Sequence, residues 1–128
     1  MSQVYKAGDI LQATFSGQVN GQTKSRPVLF WMEDASNPLR ILVSGIFGTE
    51  TKRKWEYRLS PSPLNGLIKE CFVRIDSTQY ISVNSVLKIR GYLNQVEFNI
   101  IKNLMLEYSE EYKRNSPENF STDPFDIF

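Results

Sequence analysis

Val28-Leu29-Phe30-Trp31-Met32 sets five apolar residues in succession. A strand with one solvated face alternates, so an unbroken run of this length predicts a strand buried on both faces. Arg26-Pro27 marks its start, and Glu33-Asp34-Ala35-Ser36-Asn37-Pro38 reads as the turn that follows. Beyond the turn, Leu39 to Phe47 predicts another strand, in which Gly45 marks a bulge or a close backbone approach. Lys54-Trp55-Glu56-Tyr57-Arg58-Leu59 alternates, with Trp55, Tyr57 and Leu59 on one face, the signature of a half-buried strand. Before the central run, Ala7-Gly8-Asp9 is a turn signal leading into a first strand over Ile10 to Phe15. Ser16 to Ser25 is polar and contains Asn20-Gly21, which predicts a long exposed hairpin loop.

Ser60-Pro61-Ser62-Pro63 breaks the strand pattern, and Leu64 to Glu70 predicts a short connector with one helical turn. Phe72 to Asp76 and Gln79 to Val83 read as two more short strands. Asn94-Gln95-Val96-Glu97 is a capping signature, because Asn94 caps the helix start and Glu97, three residues on, closes the box. Val96, Ile100, Leu104 and Tyr108 follow at four-residue steps, flanked by Ile101 and Met105. They predict an amphipathic helix over residues 94–113, packed by that stripe against the sheet. After Arg114 the composition turns to Asn, Ser, Pro and acidic residues with Phe120, Phe125 and Phe128, which predicts a flexible tail over 114–128. The expected architecture is mainly β: a small curled antiparallel sheet or barrel over residues 1–113, closed by its C-terminal helix.

Composition narrows the chemistry. With 128 residues, 41% hydrophobic and 23% charged, one globular domain is expected and a wholly disordered chain is excluded. No apolar run approaches a membrane span of about 18 residues, and Met1 to Lys6 carries no signal-peptide pattern, so a cytoplasmic protein without membrane association is expected. The single cysteine, Cys71, excludes an internal disulfide and suits a reducing compartment. The chain has no histidine, which removes the commonest general acid or base and, with one cysteine, a structural zinc site. Net charge is +1, but residues 1–93 hold twelve Lys and Arg against seven Asp and Glu, while the remainder is acidic. A mildly basic body is compatible with a polyanionic partner.

Four ordered landmarks resemble the PemK/MazF-like toxins, the endoribonuclease half of bacterial toxin–antitoxin pairs. They are Gly8-Asp9-Ile10; the run Gly21-Gln22-Thr23-Lys24-Ser25-Arg26-Pro27-Val28-Leu29; Asn65-Gly66-Leu67 with Val73-Arg74-Ile75-Asp76 behind it; and Ile89-Arg90-Gly91-Tyr92-Leu93-Asn94 before the helix. The resemblance spans about residues 8–108. It implies a small SH3-like (CcdB/PemK-type) barrel, a homodimer, a cognate antitoxin, and cleavage of single-stranded RNA without metal or other cofactor. The implied products are a 2′,3′-cyclic phosphate and a 5′-hydroxyl.

Such chemistry needs no histidine, because RNA carries its own nucleophile and the protein must orient it and stabilise charge on phosphorus. A planar guanidinium grips two phosphate oxygens at once. Arg26 matches the family's Arg-Pro position and is the expected phosphate-binding group. The family's hydroxyl partner is a Thr just after the third strand, where this chain has Phe47. Thr49 serves if the loop is shifted by two residues, with Ser44 and Thr51 as alternatives. A second departure is Glu70-Cys71 in place of Pro-Ser, and Cys71 is expected to be a buried filler. Lys24, Lys52, Arg53, Lys54, Trp55 and Arg58 combine charge with an aromatic and are the expected RNA contacts. Arg74 is expected to pair with Asp76, two positions along one strand face. Two rivals stay open: a non-catalytic RNA- or protein-binding member of the same fold, which the missing Thr favours, and a CcdB-like gyrase poison.

Overall fold

The computed structural model describes the backbone of residues 4–19 and 22–115 and the side chains of residues 4–14 and 25–114. Six strands run in chain order: β1 (Asp9–Val19), β2 (Gln22–Asp34), β3 (Asn37–Phe47), β4 (Glu56–Leu59), β5 (Cys71–Ser82) and β6 (Val86–Tyr92). A single 3-10 turn, Val83–Ser85, precedes β6, and helix α1 (Gln95–Asn115) follows it. The strands form one antiparallel sheet in the order β4-β5-β3-β2-β1-β6.

The central run behaves as its composition requires. Val28 and Phe30 enter a cluster with Leu11, Ala13, Ile41 and Val43 on one face of the sheet. Leu29 and Trp31 enter the other cluster, which the helix covers with Ile101 and Met105. Met32 also packs on the helix side, because the register shifts between Phe30 and Met32 and the pleat loses its parity there. Trp55, Tyr57 and Leu59 share the helix-side cluster as their alternation predicts, although β4 itself begins at Glu56. The shift between Ser44 and Gly45 occurs where β3 faces residues 75–77 of β5, as the glycine suggested.

Several expectations need correction. Residues 16–25 do not form a long loop: β1 continues to Val19 and β2 starts at Gln22, and these two residues are paired, although Asn20 and Gly21 lie outside the described residues. The two strands expected over 72–83 are one strand, because the polar Ser77-Thr78 region is a bulge against β3 and not a turn. The 64–70 connector contains turns and no helix. Buried Asn65 organises it: its Oδ1 accepts from the Ser62 and Leu67 amides, at 3.0 Å each, and its Nδ2 donates to the Ser60 carbonyl at 2.8 Å. This connector presses on β6 where a side chain has no room, since a Cβ on Gly91 would lie 2.1 Å from the Leu64 carbonyl oxygen.

Helix α1 begins as the capping signature requires, with the Glu97 amide donating to Asn94 Oδ1 at 2.8 Å. Its buried face is rotated from the expected stripe. Ile101 and Met105 are fully buried, with Phe98, Leu104, Tyr108 and Tyr112 beside them, whereas Val96 is 70% and Ile100 46% exposed. The face in contact follows alternating three- and four-residue steps, and a strict four-residue stripe drifts off it. Phe98 meets Trp31 at 5.7 Å and Tyr108 meets Trp55 at 5.3 Å between ring centroids, which fixes the helix to β2 and the start of β4. Expected outcome: Ile101→Ala or Met105→Ala costs about 2–5 kcal/mol, while Val96→Ala changes monomer stability by no more than about 0.5 kcal/mol in urea unfolding; equal costs at both positions contradict this packing.

Candidate nucleic-acid-binding cavity

Where β1, β2 and the end of β3 meet the 64–70 connector, the surface closes into an open cavity of about 290 Å³. Its polar lining is Gln12, Ser25, Arg26, Lys69 and Arg90, with Phe47 among the apolar groups, and no carboxylate is among its described lining residues. Three cations among the described lining residues give the cavity a positive potential, which is compatible with an anionic ligand.

Each side chain is there for a local reason. Pro27 sets Arg26 in extended backbone, and the β1 ladder opposes Arg26 to Ala13. The Arg26 guanidinium lies 4.6 Å from the centroid of the Phe47 ring. Arg74 lies 4.1 Å from the same ring, so one aromatic serves two guanidiniums. Burial lowers the Arg26 pKa from its ordinary value, and the Arg74 charge lowers it further. Arg90 reaches in from β6, donating from Nη2 to the Gly66 carbonyl at 2.8 Å and from Nη1 to Gln12 Oε1 at 2.9 Å. Gly66 has φ of +67° and would place a Cβ 2.2 Å from the Arg90 carbonyl oxygen, so only glycine fits there.

Beside the cavity, Glu56 gathers the 49–56 segment. Its carboxylate accepts from the Thr51 hydroxyl at 2.9 Å, the Thr51 and Lys52 amides at 3.0 Å each, and Arg74 Nε at 3.3 Å. Arg74 also donates to the Thr49 carbonyl at 2.8 Å. Arg74 therefore pairs with Glu56, not with Asp76 as the sequence suggested; Asp76 pairs with Arg53 at 3.2 Å.

The sequence-predicted residues divide accordingly. Arg26 is at the cavity wall. Thr49 is exposed and outside the lining, with only its carbonyl engaged by Arg74. The Thr51 hydroxyl is bound to Glu56. Ser44 is fully buried, accepting from Trp31 Nε1 at 2.7 Å and hydrogen-bonded to Thr78. The basic stretch does not line the cavity either. Lys54 pairs with Glu111 at 3.2 Å and Arg58 with Glu50 at 3.4 Å, exposed pairs of small energetic weight. Trp55 packs on the helix. Exposed Lys52 is held by its amide, and the Lys24 side chain lies outside the described residues. Cys71 is buried at the cavity edge, and burial pushes its thiol pKa up. Ser25, Gln12, Lys69 and Arg90 were not singled out from the sequence as site residues. Gly66, inside the connector, and Gly91, on β6, were the available signal that two segments meet there.

Comparison with solved structures finds the same fold. A Mycobacterium tuberculosis toxin, MazF-mt6, matches with TM-score 0.61 at 24% identity over 76% of this chain and 91% of that one. The fold is that of the MazF-type toxins. An endoribonuclease in complex with its cognate antitoxin, from a mycobacterial species, matches with TM-score 0.61 at 14% identity over 80% of this chain and 91% of that one. A further Mycobacterium tuberculosis toxin matches with TM-score 0.59 at 21% identity over 77% and 97%. No family model and no curated protein matches the chain. The expected β architecture with its C-terminal helix thus holds as a MazF fold.

Glu56 gives this region a pH dependence. Burial raises its pKa, but the hydrogen bonds from Thr51, Arg74 and Lys52 outweigh that and leave it below the ordinary glutamate value. A carboxylate depressed in the folded state contributes stability that is fully present above its unfolded pKa of about 4.3 and is lost as pH falls through the folded value. Expected outcome: Glu56→Gln costs on the order of 1–3 kcal/mol at pH 7 and flattens the loss of stability on acidification, measured by urea unfolding; an unchanged acid slope excludes this network as its source.

Proposed function

We propose that this chain is the toxin of a toxin–antitoxin pair, an endoribonuclease that cleaves single-stranded mRNA without metal. The observation that carries this reading is the Arg26 guanidinium held against Phe47 at the wall of a cavity whose described lining residues include no carboxylate, on a MazF fold. Arg26 takes the two non-bridging oxygens of the scissile phosphate, and Lys69 and Arg90 in the same lining add positive potential. The substrate's 2′-oxygen then bonds to phosphorus and the bond from phosphorus to the 5′-oxygen breaks. The proton lost by the 2′-hydroxyl is balanced by one gained by the leaving oxygen, with water carrying it between them. The products are a 2′,3′-cyclic phosphate and a 5′-hydroxyl end. Negative charge builds on the phosphorane oxygens, where a fixed guanidinium is worth more than in water.

The partners follow from the surface. A cognate antitoxin covers the cationic cavity with acidic chain; one similar structure is of an endoribonuclease with its antitoxin. A second copy of this chain covers β6, which ends the sheet and lies beside a groove of about 780 Å³ lined by Val4, Leu64, Ile89 and Tyr92, all four well exposed. An apolar sheet edge left open invites pairing, and a homodimer removes that liability. Among the described residues no helix is long and apolar enough to cross a membrane, and the reading places the protein with its substrate in the cytoplasm. The domain carrying the activity is residues 1–113. A second reading, a non-catalytic RNA-binding member of this fold, is favoured by one observation: Thr49, Ser44 and Thr51 all lie outside the cavity lining.

Incubation with single-stranded RNA in EDTA, followed by end analysis, separates them. Fragments with 5′-hydroxyl ends are expected, and Arg26→Ala lowers the rate roughly a hundredfold or more. Intact RNA that remains bound supports the binding module, and native-rate cleavage by Arg26→Ala removes the proposed site. For assembly, Ile89→Asp is expected to convert a dimer to a monomer in sedimentation analysis; a native protein that is already monomeric at micromolar concentration refutes the pairing.

A further inference from the structure

The cavity contains one hydroxyl among its described lining residues, Ser25, and three segments of the chain cooperate to orient it. Gln12 Nε2 lies 2.8 Å from Ser25 Oγ, Arg90 Nη1 lies 2.9 Å from Gln12 Oε1, and Arg90 Nη2 lies 2.8 Å from the Gly66 carbonyl oxygen. The direction of every bond is fixed by the chemistry of its ends. A guanidinium only donates, so the Gln12 amide must turn its oxygen to Arg90 and its NH2 to Ser25. Ser25 Oγ is therefore an acceptor in this relay, and its own proton is directed away from Gln12. Ser25 immediately precedes Arg26, and both line the same cavity.

Resting on the endoribonuclease reading above, we propose that Ser25 is the hydroxyl of the site: oriented by Gln12 and Arg90, it donates a hydrogen bond to a non-bridging oxygen of the phosphate that Arg26 holds. No proton is transferred to or from Ser25; its bond strengthens as charge accumulates on that oxygen in the phosphorane. Gln12 and Arg90 are positioning residues that act through Ser25. The relay joins β6 and the connector to the strand that carries Arg26, so the hydroxyl is set by three segments remote in sequence.

The test is steady-state cleavage of a single-stranded RNA in EDTA by the full chain. Ser25→Ala is expected to lower kcat roughly a hundredfold with little change in KM, and Ser25→Thr, which keeps the hydroxyl, to retain most of it. Gln12→Glu keeps the bond to Arg90 but offers Ser25 an acceptor, turning its proton from the phosphate. It is expected to lower kcat in the native background and to leave the residual kcat of Ser25→Ala unchanged. Cleavage that is lost in Arg26→Ala but kept within about twofold in Ser25→Ala overturns the Ser25 assignment and leaves the endoribonuclease reading standing. So does loss in Thr49→Ala with Ser25→Ala unaffected. Absence of cleavage by the native chain overturns both. Thermal unfolding of Ser25→Ala close to native excludes misfolding, since this residue is exposed.

Discussion

The fold is organised by a strand with no solvent face. From Val28 to Trp31 every side chain of β2 is buried, alternate residues entering the two clusters on opposite sides of the sheet. Each such side chain contributes about 1.5–3 kcal/mol on burial, and neither face can be released without losing a cluster. β1, β3 and the helix are placed by this requirement. So is the functional region, because Arg26 and Ser25 are the residues at which the doubly buried strand emerges. A group within a paired strand is held in a way that a loop residue is not, which is what a site acting by geometry needs.

Phe47 shows how the chain manages two cations side by side. Arg26 and Arg74 lie over one ring, and like charges that close raise each other's cost. Arg74 is matched by the almost fully buried Glu56, which leaves its charge local and ties the 49–56 segment down. Arg26 lies at the cavity wall, where the described lining residues include no carboxylate. The position that the family resemblance reserves for a threonine is occupied here by the aromatic platform for both guanidiniums, and a phenylalanine there has no hydroxyl to contribute.

What was legible in the sequence follows from which interactions are periodic. The unbroken apolar run, the Trp55–Leu59 alternation and the Asn94 cap were readable because each is set by neighbours along the chain. β6 was not read, although Leu87 and Ile89 alternate with Lys88 and Arg90: both apolar side chains are exposed, and the strand is set by its pairing with β1, which no local pattern encodes. The helix was readable but its face was not: Val96 and Ile100 fit the four-residue spacing as well as the buried pair does, and only the position of Trp31 against Phe98 decides the rotation. Of the candidate site, Arg26 was singled out through the family resemblance at Arg26-Pro27, and it lies at the cavity wall. Ser25 was hidden inside a stretch read as loop, and its link to Gln12 depends on a cross-strand register that no local pattern encodes.

The near-neutral total charge conceals a division of labour among the acids. Glu50, Asp76 and Glu111 pair with Arg58, Arg53 and Lys54, and Glu56 with Arg74, so the densest basic stretch of the sequence is compensated by carboxylates around it. Arg90, by contrast, is satisfied by two neutral oxygens, of Gln12 and Gly66, which meet its hydrogen-bonding needs without cancelling its charge. Hydrogen-bonding a cation to neutral acceptors fixes it in place while leaving its potential available at the surface. Sequence density of Lys and Arg therefore did not indicate which cations the fold brings together around the cavity. Arg26, Lys69 and Arg90, which are separated by more than forty and by about twenty positions in the chain, meet in one cavity whose described lining residues include no acid.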